Sequence, residues 1–294
     1  MTAPGLARPA VHRRRRGLRP SRLALHLALI VIAVVWLIPA LGLFINSFRP
    51  SADISSSGWW TALFPPFEFT FANYAEVLDR QGLDRAFINS LFITIPATIL
   101  VLVVAAFAAY AFAWMDFPGK NVLFVVVVGL LVVPLQVSLI PILTLFADAG
   151  IAGTFLAVWL AHTGFGLPFA IFLLRNYMGG LPREVFESAA IDGAGPATSF
   201  FRLALPMSVP VLASLAIFQF LWVWNDLLVA LVFIGPVPAN QPLTVVVANL
   251  VNSQGGQWHL LTAAAFIVMI LPLIVFFSLQ RYFVRGITGG AVKG

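Results

Sequence analysis

Long apolar runs dominate this sequence and limit what it can fold into. A run of about 20 apolar residues is what an α-helix needs to cross the hydrocarbon core of a bilayer, and six runs reach that length. Asp226 is the only charged residue inside them. The sequence therefore predicts an all-α membrane protein with six transmembrane helices, at 23–47, 87–113, 122–146, 151–174, 207–234 and 260–280.

The overall composition agrees with a membrane protein. Hydrophobic residues make up 61% of the chain and charged residues only 10%, whereas soluble domains contain about 25% charged residues. The mean hydropathy is +0.98. The chain has no cysteine, so neither a disulfide framework nor a cysteine-based metal site is available to it.

The distribution of lysine and arginine predicts the orientation of the helices, because basic residues accumulate on the cytoplasmic side of membrane proteins. With the amino terminus inside, only Arg49, Arg80 and Arg85 of the 17 basic residues lie outside. The other fourteen then lie on the cytoplasmic side. The inverted topology would place most of the basic charge outside, so both termini are predicted to be cytoplasmic.

A basic segment, 1–22, precedes the first apolar run. Its arginines could belong to a twin-arginine signal or to a nucleic-acid-binding tail. The apolar run that follows is longer than the hydrophobic region of a signal peptide and lacks a small-residue cleavage site. We therefore expect a retained first helix whose basic flank contacts anionic lipid and no nucleic acid. The rest is predicted to form one membrane domain, 23–285, and a cytoplasmic tail, 286–294.

A polar segment separates the fourth and fifth apolar runs, and its glycines and prolines predict where helices begin and end. Gly179 suits the end of a helix, and Pro182 suits a first helical position because its missing N–H would be unpaired there. Gly193 suits the left-handed turn that ends a helix, and Pro196 can open the next one. Two short helices joined by a turn are therefore predicted.

The first of these short helices has an acidic and an apolar side. Glu184 and Glu187 lie in its first turns, where a carboxylate meets the positive end of the helix dipole. A small apolar ridge is formed by Val185, Phe186, Ala189 and Ala190. A helix lying on the membrane surface would favour Lys and Arg on its polar face, and here only Arg183 is present. We therefore favour a helix that binds in the groove of a protein partner.

The spacing of this segment resembles the cytoplasmic "EAA" loop of ATP-binding-cassette (ABC) importer permeases. Glu187-Ser188-Ala189 is followed after three residues by Gly193 and after nine more by a Leu-Ala-Leu-Pro sequence. Ser188 and Leu203 replace the usual alanine and isoleucine. Nearly all of the chain after the basic segment is similar to sugar-importing permeases of the maltose type, most clearly at 133–136, 164–169, 174–177, 224–226 and 280–286.

This resemblance implies a type-1 transmembrane domain whose loop, 176–206, couples a cytoplasmic ATPase to the membrane helices. The implied partners are a second permease subunit, a dimer of ATPase subunits, an extracytoplasmic sugar-binding protein and the lipid of a bacterial inner membrane. A neutral sugar is the implied cargo. The implied ATPase-coupling residues are Glu184, Phe186, Glu187, Ala189, Ala190, Asp192 and Gly193.

The chain itself does not contain the phosphate-binding loop of ATPases. That loop needs Gly-Lys followed by Ser or Thr, but Gly119-Lys120 is followed by Asn121. We predict that the chain is not an enzyme and holds no cofactor or metal. ATP and Mg²⁺ are then bound in the partner ATPase subunits.

Asp226 is the main candidate for the translocation path, because an ionised group inside a membrane costs about 2.5–3.5 kcal/mol and should face water or a partner. A straight helix from Met207 would reach it after about 28 Å, so an acid at the outer membrane interface is an equally open reading. On such a helix Trp222, Asn225 and Asp226 share a face. An aromatic ring with hydrogen-bonding groups suits a sugar, and the resemblance implies that this helix lines the path.

Gln136 is a second path candidate, because Pro134 and Pro141 would free backbone carbonyls toward a cavity. Other polar side chains in the apolar runs, including His162 and Gln219, are predicted to tie helices together.

The polar, glycine-rich segment 249–259 is predicted to be a flexible outer loop. The resemblance implies that Asn252, Gln254 and Gln257 contact the sugar-binding protein.

Three alternative functions fit the sequence less well. An ABC permease for a polyamine would need several intramembrane acids and one for a phosphosugar would need bases, yet only Asp226 is charged there. An intramembrane hydrolase would need a Ser/His, paired-Asp or His-Glu-x-x-His arrangement, and His162 has no comparably placed acid in the sequence. Stand-alone secondary transporters often show internal repeats, which we do not find.

Overall fold

The computed structural model describes residues 20–80, 82–253 and 257–291. Over these residues the chain is helical and has no β-strand. The expectations for the first 19 residues, for Gln254 and for the last three residues lie outside the described part. The α-helices are α1 (Pro20–Ser47), α2 (Ser51–Ser56), α3 (Ala72–Arg80), α4 (Leu83–Trp114), α5 (Lys120–Gly129), α6 (Leu135–Asp148), α7 (Phe155–Met178), α8 (Arg183–Ile191), α9 (Pro196–Ser199), α10 (Leu205–Met207), α11 (Val209–Trp224), α12 (Leu228–Phe233), α13 (Leu243–Ser253) and α14 (Trp258–Ala291).

Four single helices are long and apolar enough to cross a membrane, namely α1, α4, α7 and α14. Two bent pairs supply the other predicted spans. Lys120–Val132 and Leu135–Asp148 meet at 106°, and Pro196–Met207 and Val209–Trp224 meet at 72°. With each bent pair counted as one span, the number of spans reaches the predicted six, although the second pair covers 196–224 and the fifth predicted span was 207–234.

The third predicted span breaks at Pro134 instead of forming one straight helix. Val133, just before it, has φ −71° and ψ 118°, the extended backbone that a following proline imposes. Pro134 itself precedes the first turn of α6. Pro141 lies inside α6, so only the first of the two prolines interrupts the span.

The fifth predicted span also breaks, because α11 ends at Trp224. The Asn225 side chain turns back and donates to the carbonyl oxygen of Leu221 at 2.7 Å. After Asn225, residues 226 and 227 lead to the short helix α12. The straight helix assumed for Asp226 therefore does not form. Trp222 lies in α11, whereas Asn225 and Asp226 follow its end, so the three residues do not share one helical face.

Helices α4 and α7 run parallel at the centre of the fold. Near their starts, the Trp159 indole N–H donates to the carbonyl oxygen of Phe92 at 2.9 Å. At their ends, the Trp114 indole N–H donates to the carbonyl oxygen of Met178 at 3.0 Å. We call the end of the bundle at Trp114 the loop end and the opposite one the far end.

Helix α11 runs antiparallel to α4 and packs against α14. At the far end, the rings of Trp224 and Phe87 have centroids 5.6 Å apart, and the Trp224 indole N–H donates to the carbonyl oxygen of Val268 in α14 at 3.0 Å. The end of α1 joins there through Phe44 and Phe266, 5.2 Å apart. The described part of α1 therefore begins at the loop end, and α14 runs toward that end.

Polar side chains of α4 hold the segment before α13 at the far end. The Asn89 amide donates to the carbonyl oxygens of Ala239 at 2.9 Å and Gln241 at 3.0 Å. The Ser90 hydroxyl accepts from the backbone N–H of Leu243 at 2.9 Å. Asn89 and Ser90 are buried, so these are helix ties of the kind that the sequence predicted.

We expect Asn89→Leu to lower the melting temperature of the purified protein. The change keeps the branched shape of the side chain but leaves two buried carbonyls without their donor, at about 1–3 kcal/mol. Ile88→Val is the control, because the Ile88 side chain is 62% exposed. Equal melting temperatures for Asn89→Leu and the control would contradict a stabilising role of these hydrogen bonds.

Candidate functional site

The polar segment folds as the sequence predicts. Helix α7 ends at Met178 and is followed by Gly179, and Pro182 stands one position before the first residue of α8. Gly193 has φ +82°, the left-handed region in which other residues are strained. Pro196 opens α9. The predicted helix ends and the turn are thus confirmed, except that Pro182 precedes the first helical position instead of occupying it.

Phe186 attaches α8 to the bundle. Its side chain is 8% exposed, and its ring stacks on Trp114 with centroids 3.9 Å and planes 20° apart. Because the Trp114 indole N–H also bonds to Met178, one indole connects α4, α7 and α8. Phe186 was predicted to contact the ATPase as part of an outward ridge. It faces this chain's own core instead, because Trp114 offers an aromatic partner there.

The other predicted coupling residues leave an open surface on α8. Glu184, Glu187, Ala190, Asp192 and Gly193 are exposed, and Ala189 is half-buried. Ile191, which the sequence did not single out as a surface residue, is 87% exposed. Its position directly after the apolar pair of alanines was the available signal. The exposed face of α8 therefore combines carboxylates with small and apolar side chains.

Glu187 also borders a polar cavity of about 280 Å³ between α8 and the turn after α4. Asp116, Lys120 and Arg183 line the same cavity. The Lys120 ammonium donates to the carbonyl oxygen of Met115 at 2.7 Å and lies 3.5 Å from an Asp116 carboxylate oxygen. Both charged turns of the loop end, the one after α4 and the one after α7, therefore meet at this cavity.

Asp226 caps α12 at the far end. Its carboxylate oxygens accept from the backbone N–H groups of Val229 at 3.3 Å and Ala230 at 3.0 Å. Its backbone carbonyl accepts from the Thr244 hydroxyl at 2.6 Å. Free N–H groups at a helix start favour such a carboxylate. Because the helix breaks after Trp224, the Asp226 carboxylate can bind the start of α12. The sequence had suggested only a residue of the translocation path or an acid at the membrane interface.

His162 of α7 lies beside Asp226. Its Nε2 is 3.6 Å from an Asp226 carboxylate oxygen, which is just beyond hydrogen-bonding distance. The expectation that His162 has no acid nearby is therefore wrong, because Asp226 lies outside the helix in which the sequence placed it. Neither ring nitrogen has a hydrogen-bond partner among the described residues, so no serine is held there as a hydrolase nucleophile would be.

The two tryptophans near the end of α11 have different surroundings. Trp222 is 37% exposed and Trp224 is 2% exposed, so the two indoles lie on different sides of α11. The Trp222 ring packs edge-on against His162, with centroids 5.1 Å and planes 89° apart. Asn225 is exposed. The structure thus brings Trp222 and Asp226 together through His162, while the Asn225 amide bonds back to its own helix.

A cavity of about 480 Å³ lies between α6, α7 and Trp222. Leu135 and Ser138 line it, whereas Gln136 is exposed and lies outside its lining. Gln136 therefore does not contribute to this cavity, and its place in the translocation path stays a prediction. Gly164 and Pro168 of α7 contribute to the wall.

The outer loop is shorter than predicted, because α13 continues to Ser253 and includes Asn252 in its last turn. Gln257 is exposed just before α14. Gln254 lies outside the described residues. A contact of these residues with a binding protein stays a prediction.

The model of one protein family, the binding-protein-dependent transport system inner membrane component, matches residues 86–289. This range covers more than half of the chain and includes α4 through most of α14. The chain belongs to this family. The resemblance inferred from the EAA-type loop is therefore confirmed.

Relatives of this inner membrane component include permeases with stated cargoes. The osmoprotective compounds uptake permease protein GgtD of Synechocystis is 56% identical over 276 residues, which cover 93% of each chain. The alpha-glucoside transport system permease protein AglG of Rhizobium meliloti is 58% identical over 241 residues, which cover 80% of this chain and 63% of AglG.

A solved structure shares the fold. A chain in the crystal structure of a bacterial ABC transporter involved in the import of the acidic polysaccharide alginate superposes with a TM-score of 0.77 at 20% identity. The superposition covers 92% of this chain and 98% of that one. The ABC importer permease fold predicted from the sequence is thus confirmed.

We expect Trp114→Ala to loosen α8 from the bundle. Removing the indole deletes the stack on Phe186 and the hydrogen bond to Met178, and Trp→Ala changes in packed sites cost about 3–5 kcal/mol. Hydrogen exchange of the backbone amides in 183–191 should then accelerate, while exchange in α13 should stay unchanged. Trp114→Phe keeps an aromatic partner and should show a smaller increase. Equal exchange rates in all three proteins would contradict this anchoring role.

Proposed function

We propose that this chain is a transmembrane permease subunit of a bacterial ABC sugar importer and works by alternating access. The observation that carries the proposal is the surface of α8. Helix α8 is exposed and acidic, and one indole connects it to both α4 and α7. A movement of a partner bound to α8 would therefore be transmitted to two membrane helices. The partner that would supply it is a cytoplasmic ATPase.

The loop end of the bundle then faces the cytoplasm. The basic residues support this orientation, since Lys120, Arg175, Arg183 and Arg202 all belong to that end, and basic residues favour the cytoplasmic side. The far end, with α2, α3 and α13, faces outward. The chain would reside in the bacterial cytoplasmic membrane with both termini inside.

The proposed assembly contains further subunits. A second permease subunit completes the translocation path, and a dimer of ATPase subunits binds ATP and Mg²⁺, so that this chain hydrolyses nothing itself. An extracytoplasmic sugar-binding protein delivers the cargo to the far end, where Asn252, Gln254 and Gln257 are the proposed contacts. The family is described as a component of binding-protein-dependent transport systems, which supports this last partner.

The proposed cargo is a neutral α-glucoside. The names of two relatives, for α-glucosides and for osmoprotective compounds, suggest a hydroxyl-rich compatible solute, and sucrose and trehalose fit both descriptions. The charges of the bundle agree with a neutral molecule. A polyamine would need several intramembrane acids and a phosphosugar would need bases, whereas Asp226 is the one charged residue of the predicted spans.

The coupling experiment uses the reconstituted importer with its binding protein, and sucrose and trehalose as cargo. Glu187→Ala and Gly193→Asp should assemble normally but lose most of the ATP turnover stimulated by the loaded binding protein. The first change removes an exposed carboxylate of α8. The second strains a left-handed turn by about 1 kcal/mol. A loss of about tenfold corresponds to only 1.4 kcal/mol.

Matched controls for this experiment lie at the far end. Asp148→Ala removes an exposed acid, and Gly150→Asp strains another left-handed glycine, with φ +71°. Both should keep stimulated ATP turnover. Wild-type coupling in the two α8 variants, or equal losses in all four, would refute the assignment of α8 to the ATPase.

A topology experiment tests the orientation separately. A reporter that is active only outside the cytoplasm should be silent when fused after Lys120, within 182–202 or at the carboxyl terminus. It should be active when fused near Ser57 or Gln254. Activity within 182–202 would reverse the orientation, and the α8 surface could then not reach a cytoplasmic ATPase.

A further inference from the structure

Two buried polar side chains, one from α7 and one from α11, lie along the seam between these helices with nitrogen atoms that the described part of the chain leaves unpaired. Gln219 is 5% exposed, and its Nε2 has no hydrogen-bond partner among the described residues. It fits closely against α7, because a Cβ atom on Gly166 would lie 2.9 Å from the Gln219 amide. One turn along α7, both nitrogens of the fully buried His162 likewise lack a partner within the described chain.

These two residues differ from ordinary helix ties. A tie such as Asn89 makes both of its hydrogen bonds to protein, and buried polar groups in folded proteins nearly always do so. His162 and Gln219 are held in a low-dielectric interior, where an unmade hydrogen bond is costly. Their amide and ring nitrogens are therefore available to a ligand that supplies hydroxyl groups.

Trp222 separates this seam from the cavity of about 480 Å³. Its indole lines the cavity and packs edge-on against His162. Gly164 and Pro168 line the same cavity. Pro168 has no N–H to donate to the carbonyl of Gly164, four residues earlier, so the cavity wall also offers a backbone acceptor.

We propose that His162 and Gln219, with Asp226, form a binding site for the hydroxyl groups of a pyranose ring, which Trp222 covers in this conformation and stacks upon when α7 and α11 separate. This site rests on the proposed sugar import and names two of its specificity-determining residues. It extends the path from the exposed Trp222 and Asn225 into the α7–α11 seam.

The chemistry of the site matches a neutral sugar. A hydroxyl group can donate to the Asp226 carboxylate and accept from the Gln219 amide or an imidazole N–H at the same time. The flat indole suits the C–H face of a pyranose. The edge-on contact between Trp222 and His162 would be exchanged for contacts with the ring when the seam opens.

The transport test compares Gln219→Leu and His162→Leu with the control Thr163→Val in the reconstituted importer. The Thr163 hydroxyl donates to the carbonyl of Trp159 on its own helix at 2.7 Å. We expect both seam variants to move at least fivefold less sucrose or trehalose per ATP hydrolysed and to change the ratio between the two sugars. ATP turnover stimulated by the binding protein and melting temperature should stay near the control values.

The possible outcomes distinguish a failure of the proposed site from a failure of the proposed cargo. Parallel losses of melting temperature and of both activities would show structural ties and overturn the site, as would wild-type sugar yield per ATP. If the unmodified importer moves neither sucrose nor trehalose, the proposed cargo fails, and the site fails with it as a sugar site.

A labelling experiment tests access to the proposed site independently, in case a leucine variant does not fold. The chain contains no cysteine, so Gln219→Cys introduces a single thiol. A charged, membrane-impermeant maleimide should label it slowly in the nucleotide-free importer and at least tenfold faster in one nucleotide-trapped state, and sucrose should slow that labelling. Labelling that is absent in every trapped state, or that sucrose leaves unchanged, would overturn the site.

Discussion

Every backbone N–H and C=O group that leaves a helix inside a membrane needs a partner, because lipid offers none. This constraint explains the polar residues at the interruptions of the apolar runs. The Asn225 side chain adds a second donor to the Leu221 carbonyl at the end of α11, and Asp226 accepts from two N–H groups at the start of α12. Asn89 donates to two carbonyls of the segment that follows. Side chains of this kind thus complete the backbone hydrogen bonding at the start of α12 and before α13.

Against this background, the seam of α7 and α11 is notable among the described residues because it brings two unpaired side chains within one helical turn, whereas Thr98 of α4 and Ser208 before α11 lie apart. Polar groups elsewhere in the described spans mostly complete the hydrogen bonding of their own backbone, as Ser214 does with Pro210 and Thr163 with Trp159. His162 and Gln219 complete no such bond. A packed seam with unmet hydrogen bonds is less stable than one whose hydrogen bonds a ligand completes.

The sequence predicted the fold well because length and hydropathy alone identify apolar spans, and glycine and proline mark the ends of α8 and α9. It could not show which prolines interrupt a helix, since Pro134 and Pro141 look alike until packing is known. The end of α11 was also hidden, because nothing in the Trp-Asn-Asp sequence distinguishes a helical from a capping aspartate. The contacts of His162 and Phe186 depend on residues distant in the chain, so no local pattern could reveal them.

The two indole hydrogen bonds between α4 and α7 have a mechanical consequence. Trp114 fastens the pair at one end and Trp159 fastens it near the other. Two parallel rods that are clamped at both ends resist bending more strongly than two free rods. A displacement applied to α8 should therefore reach His162, about 24 Å along α7 from Met178 at 1.5 Å per residue, as a rotation of the whole pair and with little of it lost to bending along the way.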